Sequence, residues 1–341
     1  MNASISMPSI SIQSQAESDP AEMDQVWAAQ VVKREQAAEG VTLFELVSLD
    51  RRTMVDFSAG AHIALHMSVG IRQYSLCNGP DDRDCYRIAV RLEADGRGGS
   101  RQICESLHVG DVVQVSGPFN HFALNADDPH PLLIAAGIGI TPMLAMALEC
   151  QANGRPFELH YAGRASHRMA FLPLVGERLK DATRLYAPDL NDGERMQLQQ
   201  VIPAATLGRH LYVCGPASLI DDVCATARAK GWADDHIHFE HFHGAPPIPQ
   251  QGDVPFEVQI QSTGQCITVG AEETVADALQ RNGIYLNVSC GSGVCGACRT
   301  GVIAGEVDHR DYFYTPQEHA QGTEFTPCCS RARGAKLLLD L

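Results

Sequence analysis

Three cysteines on one short loop, with a fourth candidate further on, carry the strongest chemical signal in the chain. Cys290-Gly-Ser-Gly-Val-Cys295-Gly-Ala-Cys298 is a C-x4-C-x2-C segment, and Cys328 follows after 29 intervening residues. This is the plant-type spacing of [2Fe–2S] ligands. Two irons bridged by two sulfides need four thiolates around a compact cage. Three of them can come from one loop only if the backbone folds closely over the sulfides. Gly291, Gly293 and Gly296 permit that approach, because glycine takes positive φ and presents bare N–H groups. Zinc also accepts four thiolates, but its knuckles pair one close C-x2–4-C with a second close pair, and here the fourth ligand stands apart. Inert buried thiols would not cluster among glycines. Cys329 adjoins Cys328, and spacing leaves both open as the fourth ligand.

Two further groups of residues suit nucleotides. Arg72-Gln73-Tyr74-Ser75-Leu76 precedes Gly96-Arg97-Gly98-Gly99-Ser100. An Arg, a Tyr and a Ser along one strand could meet a flavin's phosphate, sugar and ring edge. A Gly-Gly-Ser turn opening a helix offers free N–H groups to a phosphate. Taken alone, the same residues read as an ordinary strand and a glycine turn. Gly137-Ile138-Gly139-Ile140-Thr141-Pro142, after the apolar run Leu132 to Ala136, lacks the third glycine and the later acidic residue of a dinucleotide fingerprint. Such a crossover can still hold a pyrophosphate. Cys214-Gly215-Pro216 ends a strand-like run, where ligands of open α/β sheets gather, or where a buried Cys simply caps the sheet. His236, His238, His241 and His243 could seat a metal, but surface or domain-edge histidines are the commoner reading.

The elements that must position these residues can be read from periodicity. From Trp27 to about Asn125, short strand-like runs (41–49, 61–67, 86–93, 111–117) alternate with turn signals, which predicts a small antiparallel barrel. After Asp127, strand, glycine turn and helix (Met143 to Gln151) open a βαβ unit. Further runs at Phe157–Tyr161, Thr183–Tyr186 and His210–Val213 suit a parallel sheet. Residues 243–253, rich in Pro, Gly and Gln, read as a linker long enough to allow the C-terminal unit more than one pose. Strand FEVQIQ, turn STGQ, strand CITVG and helix AEETVADALQRNG open that last unit. The expected division is a disordered tail 1–26, a β-barrel 27–126, an α/β domain 127–242, the linker, and an α+β domain 254–341.

Length and composition agree with a multidomain globular chain. Its 341 residues exceed one compact core, and 45% hydrophobic with 20% charged residues is ordinary for a folded protein. There is no transmembrane-length apolar run, and the Ser-rich N-terminus lacks a secretory signal, so membrane and export are not expected. Twelve scattered Cys without a leader suggest reduced thiols in a cytoplasm. A formal charge of −15 repels nucleic acid and favours a basic protein partner.

Together these motifs resemble the ferredoxin–NADP reductase superfamily, and within it the phthalate dioxygenase reductase family, from Trp27 to Leu341. The order of flavin barrel, nicotinamide domain and ferredoxin is itself distinctive. Arg72, Tyr74 and Ser75 match the family's R-x-Y-S flavin motif, and Gly98, Gly99 and Ser100 its phosphate turn, which in this branch implies FMN. Gly137, Gly139, Thr141 and Pro142 match its nicotinamide loop, and Cys214, Gly215 and Pro216 its C-G-P motif beside the nicotinamide ring. Arg164 and Ser166 resemble its contacts to the adenosine half of the nucleotide, and Glu240 and Phe242 its E-x-F element. Its C-x-S-R-A ending implies Cys328 as the fourth ligand with Cys290, Cys295 and Cys298, which puts Cys329 at a usually hydrophobic position.

The resemblance implies a β-grasp ferredoxin domain and an NADH-dependent reductase with FMN and [2Fe–2S]. Ser75, Thr141 and Cys214 would sit where hydride is transferred. The implied partner is an oxygenase component, of Rieske type in aromatic catabolism. The alternatives are a haem monooxygenase or carrier ferredoxin as acceptor, and a zinc-thiolate binding or redox-sensing protein. Ser75→Ala is expected to slow flavin reduction in rapid mixing without releasing FMN; an unchanged rate would remove Ser75 from the site.

Overall fold

The computed structural model describes residues 26–49, 54–68, 70–93, 98–242, 250, 252–288, 291–294, 296–314 and 316–341. The tail up to residue 25, most of the predicted linker, His243, Cys290 and Cys295 lie outside the described residues. The first unit comprises β1 (Trp27–Ala38), β2 (Val41–Ser48), β3 (His62–Met67), β4 (Gly70–Ser75), β5 (Tyr86–Arg91) and β6 (Val112–Phe119). They form one antiparallel sheet in the order β4-β3-β6-β1-β2-β5. A bridge between Leu76 and Ile88 brings its two edges together, giving the barrel. In β1, buried Trp27, Ala29 and Val31 alternate with less buried neighbours, so one face of the strand points inward. There they meet Phe44, Leu46, Ile63, Leu65, Ile88 and Val115. Helix α1 (Gly99–Ser106) closes the barrel's end with Ile103 inward.

The second unit is a parallel sheet of β7 (Leu132–Ala136), β8 (Glu158–Ala162), β9 (Thr183–Tyr186), β10 (Leu211–Gly215) and β11 (Ile237–His241) in the order β11-β10-β7-β8-β9. The chain runs outward one way from β7 to β9 and the other way from β10 to β11. The crevice between β7 and β10, at their carboxyl ends, is therefore the topological switch point where ligands of such sheets bind. Helix α2 (Ile140–Ala152) is buried almost all round. Its Met143, Leu144 and Met146 share one core with Leu43, Phe122 and Leu124 of the barrel side and Leu159 and Tyr161 of the sheet. An all-round apolar helix has no face for water. Here it joins the first two units through a common core.

The third unit sets β12 (Phe256–Ile260), β13 (Cys266–Val269), β14 (Thr300–Ala304), β16 (Glu324–Phe325) and β18 (Lys336–Asp340) into a mixed sheet ordered β13-β12-β18-β14-β16. The short β15 (Val307–Asp308) and β17 (Arg331–Ala332) pair beside it. Helix α3 (Val275–Arg281) starts four residues later than the sequence suggested. Thr274 and Asp277 form a reciprocal capping box that stops it there, and Glu273 turns aside to accept from Gly270 N at 2.8 Å and to pair with Arg281.

The far end of the predicted linker is not loose. The Asp253 side chain is 5% exposed and chelates Arg310, with Nη2 to Oδ1 at 2.5 Å and Nη1 to Oδ2 at 3.0 Å. Beside it the buried Arg331 guanidinium donates to the carbonyls of Val254, Gly270 and Glu273 and lies 4.9 Å over the Phe256 ring. Arg310 holds the Asp253 carboxyl down at about 2. That value is below the ordinary carboxylate range, so the pair's stabilisation is present above that range and is lost as pH falls through about 2. Asp253→Ala, which leaves Arg310 only Asp308 and leaves the enclosed Arg331 without a carboxylate close by, is expected to destabilise the third unit by about 3 kcal/mol, read as its thermal midpoint at pH 7. An unchanged midpoint would show the pair to be idle.

Candidate functional site

A cavity of about 450 Å³ opens where the three units meet, within the size range of cofactor pockets. At one end, Arg72 lies so close to Gly99 that a Cβ there would overlap its side chain. Gly98, left-handed at φ 83°, turns the chain into α1 with no side-chain cap on its first amides. A guanidinium and a helix N-terminus without a side-chain cap at one spot suit a phosphate. Ser100 faces the cavity but its Oγ accepts from Glu93 N at 3.0 Å, which holds the turn in place. Tyr74 and Ser75 continue along the wall from the end of β4.

The opposite wall comes from the carboxyl ends of the parallel strands. Register places Ala135, Cys214 and Glu240 side by side across β7, β10 and β11. Ser75 Oγ donates to Glu240 Oε2 at 3.2 Å, tying barrel to sheet. Glu240 borders the cavity and is otherwise enclosed; this burial pushes its carboxyl up to about 8, against the pull of the Ser75 hydrogen bond. Burial and the nearby Glu240 raise the Cys214 thiol far above its usual range, so it stays a neutral thiol. Thr141 is buried, faces the cavity, and donates from Oγ1 to the Ile138 carbonyl at 3.1 Å. Gly139 packs against the Cys214 carbonyl so tightly that any Cβ would overlap it. Gly137 is left-handed at φ 56°, and Pro142 sits in the first turn of α2. Phe242 lines the cavity next to Glu240.

The third unit closes the cavity with its cysteine loop: Ser292 and Val294 lie in the wall. Gly291, Gly293 and Gly296 are all left-handed, as a loop wrapped over sulfides requires. Cys298, Cys328 and Cys329 are buried in one group with Val288 beside them. Cys329 Sγ is 3.2 Å from Thr326 Oγ1. The donor set of buried thiols and bare loop glycines fits an iron–sulfur cluster.

Of the sequence candidates, Arg72, Tyr74, Ser75, Gly99, Ser100, Thr141, Glu240 and Phe242 line the cavity, whereas Gly98, Gly137, Gly139, Pro142 and Cys214 lie behind its wall and Arg164, Ser166, Gly215 and Pro216 away from it. Arg164 is exposed at the carboxyl end of β8, and Ser166 donates from N and Oγ to Asp189, at 2.8 and 2.6 Å. Gly215 and Pro216 follow Cys214 at the switch point and lead into the helix Ala217–Ala229. Of the histidine run, His238 Nε2 meets His210 Nδ1 at 2.8 Å and stacks on Tyr212, nearer the amino ends of the strands. Burial and the neighbouring imidazoles lower His238 to about 4, so it is neutral at pH 7. Among the described residues the one three-membered group spaced for a metal is His309, Asp311 and His319. Its carboxylate already accepts from Tyr314 N, Ser330 Oγ and His319. Sequence reasoning gave His241, which stands in the cavity wall, only as a possible metal ligand; it missed His62, Arg91 and His121 in that wall, and Asp189. No motif marks them, because they come from separate stretches that only the fold assembles.

A family model described as an oxidoreductase FAD-binding domain matches residues 28–124, and one described as a 2Fe-2S iron-sulfur cluster binding domain matches 258–333. The vanillate O-demethylase oxidoreductase of Pseudomonas sp. (strain HR199 / DSM 7063) is 43% identical over 310 residues, covering 89% of this chain and 96% of that protein. The solved structure of phthalate dioxygenase reductase, described as modular for electron transfer from pyridine nucleotides to [2Fe-2S], is 32% identical with a TM-score of 0.72, covering 93% of this chain and 98% of that one. The chain belongs to the phthalate dioxygenase reductase family. This family member is an NADH-dependent flavin iron–sulfur oxidoreductase, a reductase of the kind that serves oxygenases, with FMN, [2Fe–2S] and NADH as its cofactors. It also resembles part of an intact type IV self-sufficient cytochrome P450 monooxygenase, at 36% identity and TM-score 0.82, covering 97% of this chain and 43% of that one. No helix among the described residues is long and apolar enough to cross a membrane.

The raised Glu240 carboxyl predicts a pH effect. It is neutral below about 8 and charged above, so flavin reduction by NADH is expected to fall as pH rises through about 8. Glu240→Gln, neutral at every pH, is expected to flatten that limb; a variant that keeps the wild-type pH profile would assign the inflection elsewhere.

Proposed function

We propose that this reductase feeds single electrons to a Rieske-type oxygenase, with the motif residues in the roles that their placement around the cavity supports. Arg72 with the Gly98-Gly99-Ser100 turn would hold the flavin phosphate, and Tyr74 and Ser75 would face its ring. The crevice of Gly137, Gly139, Thr141 and Pro142 facing Cys214-Gly215-Pro216 would hold the nicotinamide half of NADH. Arg164 and Ser166 would meet the adenosine half. Cys290, Cys295, Cys298 and Cys328 would hold the cluster. When bound, flavin and cluster together convert a two-electron hydride donor into one-electron deliveries.

The chain's own contribution is orientation and electrostatics. Gly139 lets the two nucleotide loops close on each other, so the ring has one place to stack. A neutral Glu240 and a neutral Cys214 thiol put no anion beside a ring that must accept negative charge, and Ser75 keeps a hydroxyl at that edge. The observation that carries the proposal is this shared cavity, whose walls hold the flavin-motif residues Arg72, Tyr74 and Ser75, Thr141 of the nicotinamide loop, and Ser292 and Val294 of the cysteine loop. The domain boundaries of 27–126, 127–242 and 254–341 belong to the same proposal, as does a cytoplasmic setting. The likeness to a cytochrome P450 chain favours a haem monooxygenase as the second reading of the acceptor.

Anaerobic NADH titration of the purified protein, followed by visible absorbance and electron paramagnetic resonance, is expected to take up about three electrons per chain, two in flavin and one in [2Fe–2S]. A colourless protein containing zinc would overturn the reading. Reconstitution with a Rieske and a haem oxygenase then separates the two acceptors.

A further inference from the structure

The segment after the cysteine loop reaches both other domains within two residues. Tyr312 stacks on His241 at the end of β11, with ring centroids 4.1 Å apart and planes 30° apart. Phe313, its neighbour, meets His121 of the barrel side edge-on, at 5.7 Å and 83°. The two rings splay because the turn beneath them is locked. Asp311 accepts from Phe313 N at 3.2 Å and from Tyr314 N at 2.9 Å. Tyr312 N donates to the Gly293 carbonyl at 2.9 Å, fastening this turn to the cysteine loop itself. On its inner side the Phe313 ring fills the space where Gly296 has no Cβ, and the Arg299 guanidinium lies 5.9 Å from the ring. Gly293 and Gly296 of the cysteine loop, the turn and two outward rings are thus tied together, with a ring set on each neighbouring domain.

We propose that Tyr312 and Phe313 are positioning residues: they dock the cysteine loop against the flavin cavity and so set the pose in which the third domain receives its electron. This inference rests on the reductase reading above. Electron delivery across a domain boundary needs the two centres held close, and the third unit has a hydrophobic core of its own, apart from the one that the first two share. Aromatic pairs supply the missing hold. Each such contact shifts the balance between docked and undocked poses by up to about tenfold. Tyr312 remains 38% exposed while stacked, so removing its ring alters the docking contact without opening a core.

The test uses the intact holoprotein mixed anaerobically with NADH, with flavin bleaching and the electron paramagnetic resonance of the reduced cluster followed in freeze-quenched samples. The quantity read is the rate of cluster reduction relative to flavin reduction. Tyr312→Leu is expected to lower that ratio about tenfold, and Tyr312→Phe, which keeps the ring, to restore it. Amide hydrogen exchange in residues 309–314 is expected to rise in Tyr312→Leu alone. A wild-type ratio or wild-type exchange in Tyr312→Leu overturns the proposal, as does a Tyr312→Phe variant as slow as Tyr312→Leu. A wild-type protein in which the flavin is reduced and the cluster never is would overturn the reductase reading instead.

Discussion

The hydrogen bond from Ser75 Oγ to Glu240 Oε2 joins the last residue of a barrel strand to the carboxyl end of a parallel-sheet strand. The rest of the site depends on that meeting of strand ends. It brings the flavin motif on β4 within reach of the switch point between β7 and β10, and it places an enclosed carboxyl where ionisation is costly. The pair is possible because α2 packs its apolar surface against both units, giving barrel and sheet a common core. Two domains that share a core hold a ring-to-ring geometry far better than two joined by a linker.

The third domain is held by other means. Its internal fastening is ionic and enclosed: Asp253, Arg310 and Arg331 clamp the segment entering the domain, and Ser330 and Asp311 tie the turn after the cysteine loop to the strand that carries Arg331. Its external contacts are aromatic and partly solvent-exposed, through Tyr312 and Phe313. This division suits a carrier. The described residues around the cysteine loop are cross-tied within their own domain, while the contacts to the other two domains are aromatic pairs of modest strength.

The C-x-S-R-A ending shows how a recognised motif acquires a physical meaning. Ser330 donates to Asp311 at 3.2 Å and accepts from Arg310 N at 3.1 Å, and Arg331 satisfies three backbone carbonyls from inside the domain. Ser330 thus fastens the turn after the cysteine loop, and Arg331 the segment that enters the domain and leads into α3. Likewise the spacing of the loop glycines becomes intelligible residue by residue: Gly293 faces Cys329 and Asp311, and Gly296 faces Phe313.

Much of this protein was legible before any fold was known, because the relevant constraints are local. Thiolate spacing, glycines at tight turns and alternating apolar runs are set within a few consecutive residues, and they pointed to the cofactors, the order of the layers and the family. Where local signals compete the reading slipped: the third domain's helix begins at Val275, because the Thr274 capping box outweighed the helix-forming residues before it. The cavity wall formed by His62, Arg91, His121 and His241, the tie between Ser75 and Glu240, and the seating of the cysteine loop on the other two domains were decided by tertiary structure alone. The tie between Ser75 and Glu240 joins residues 165 positions apart in the chain. Nothing in the neighbourhood of either partner records the other, and only the packing of whole domains brings them within reach.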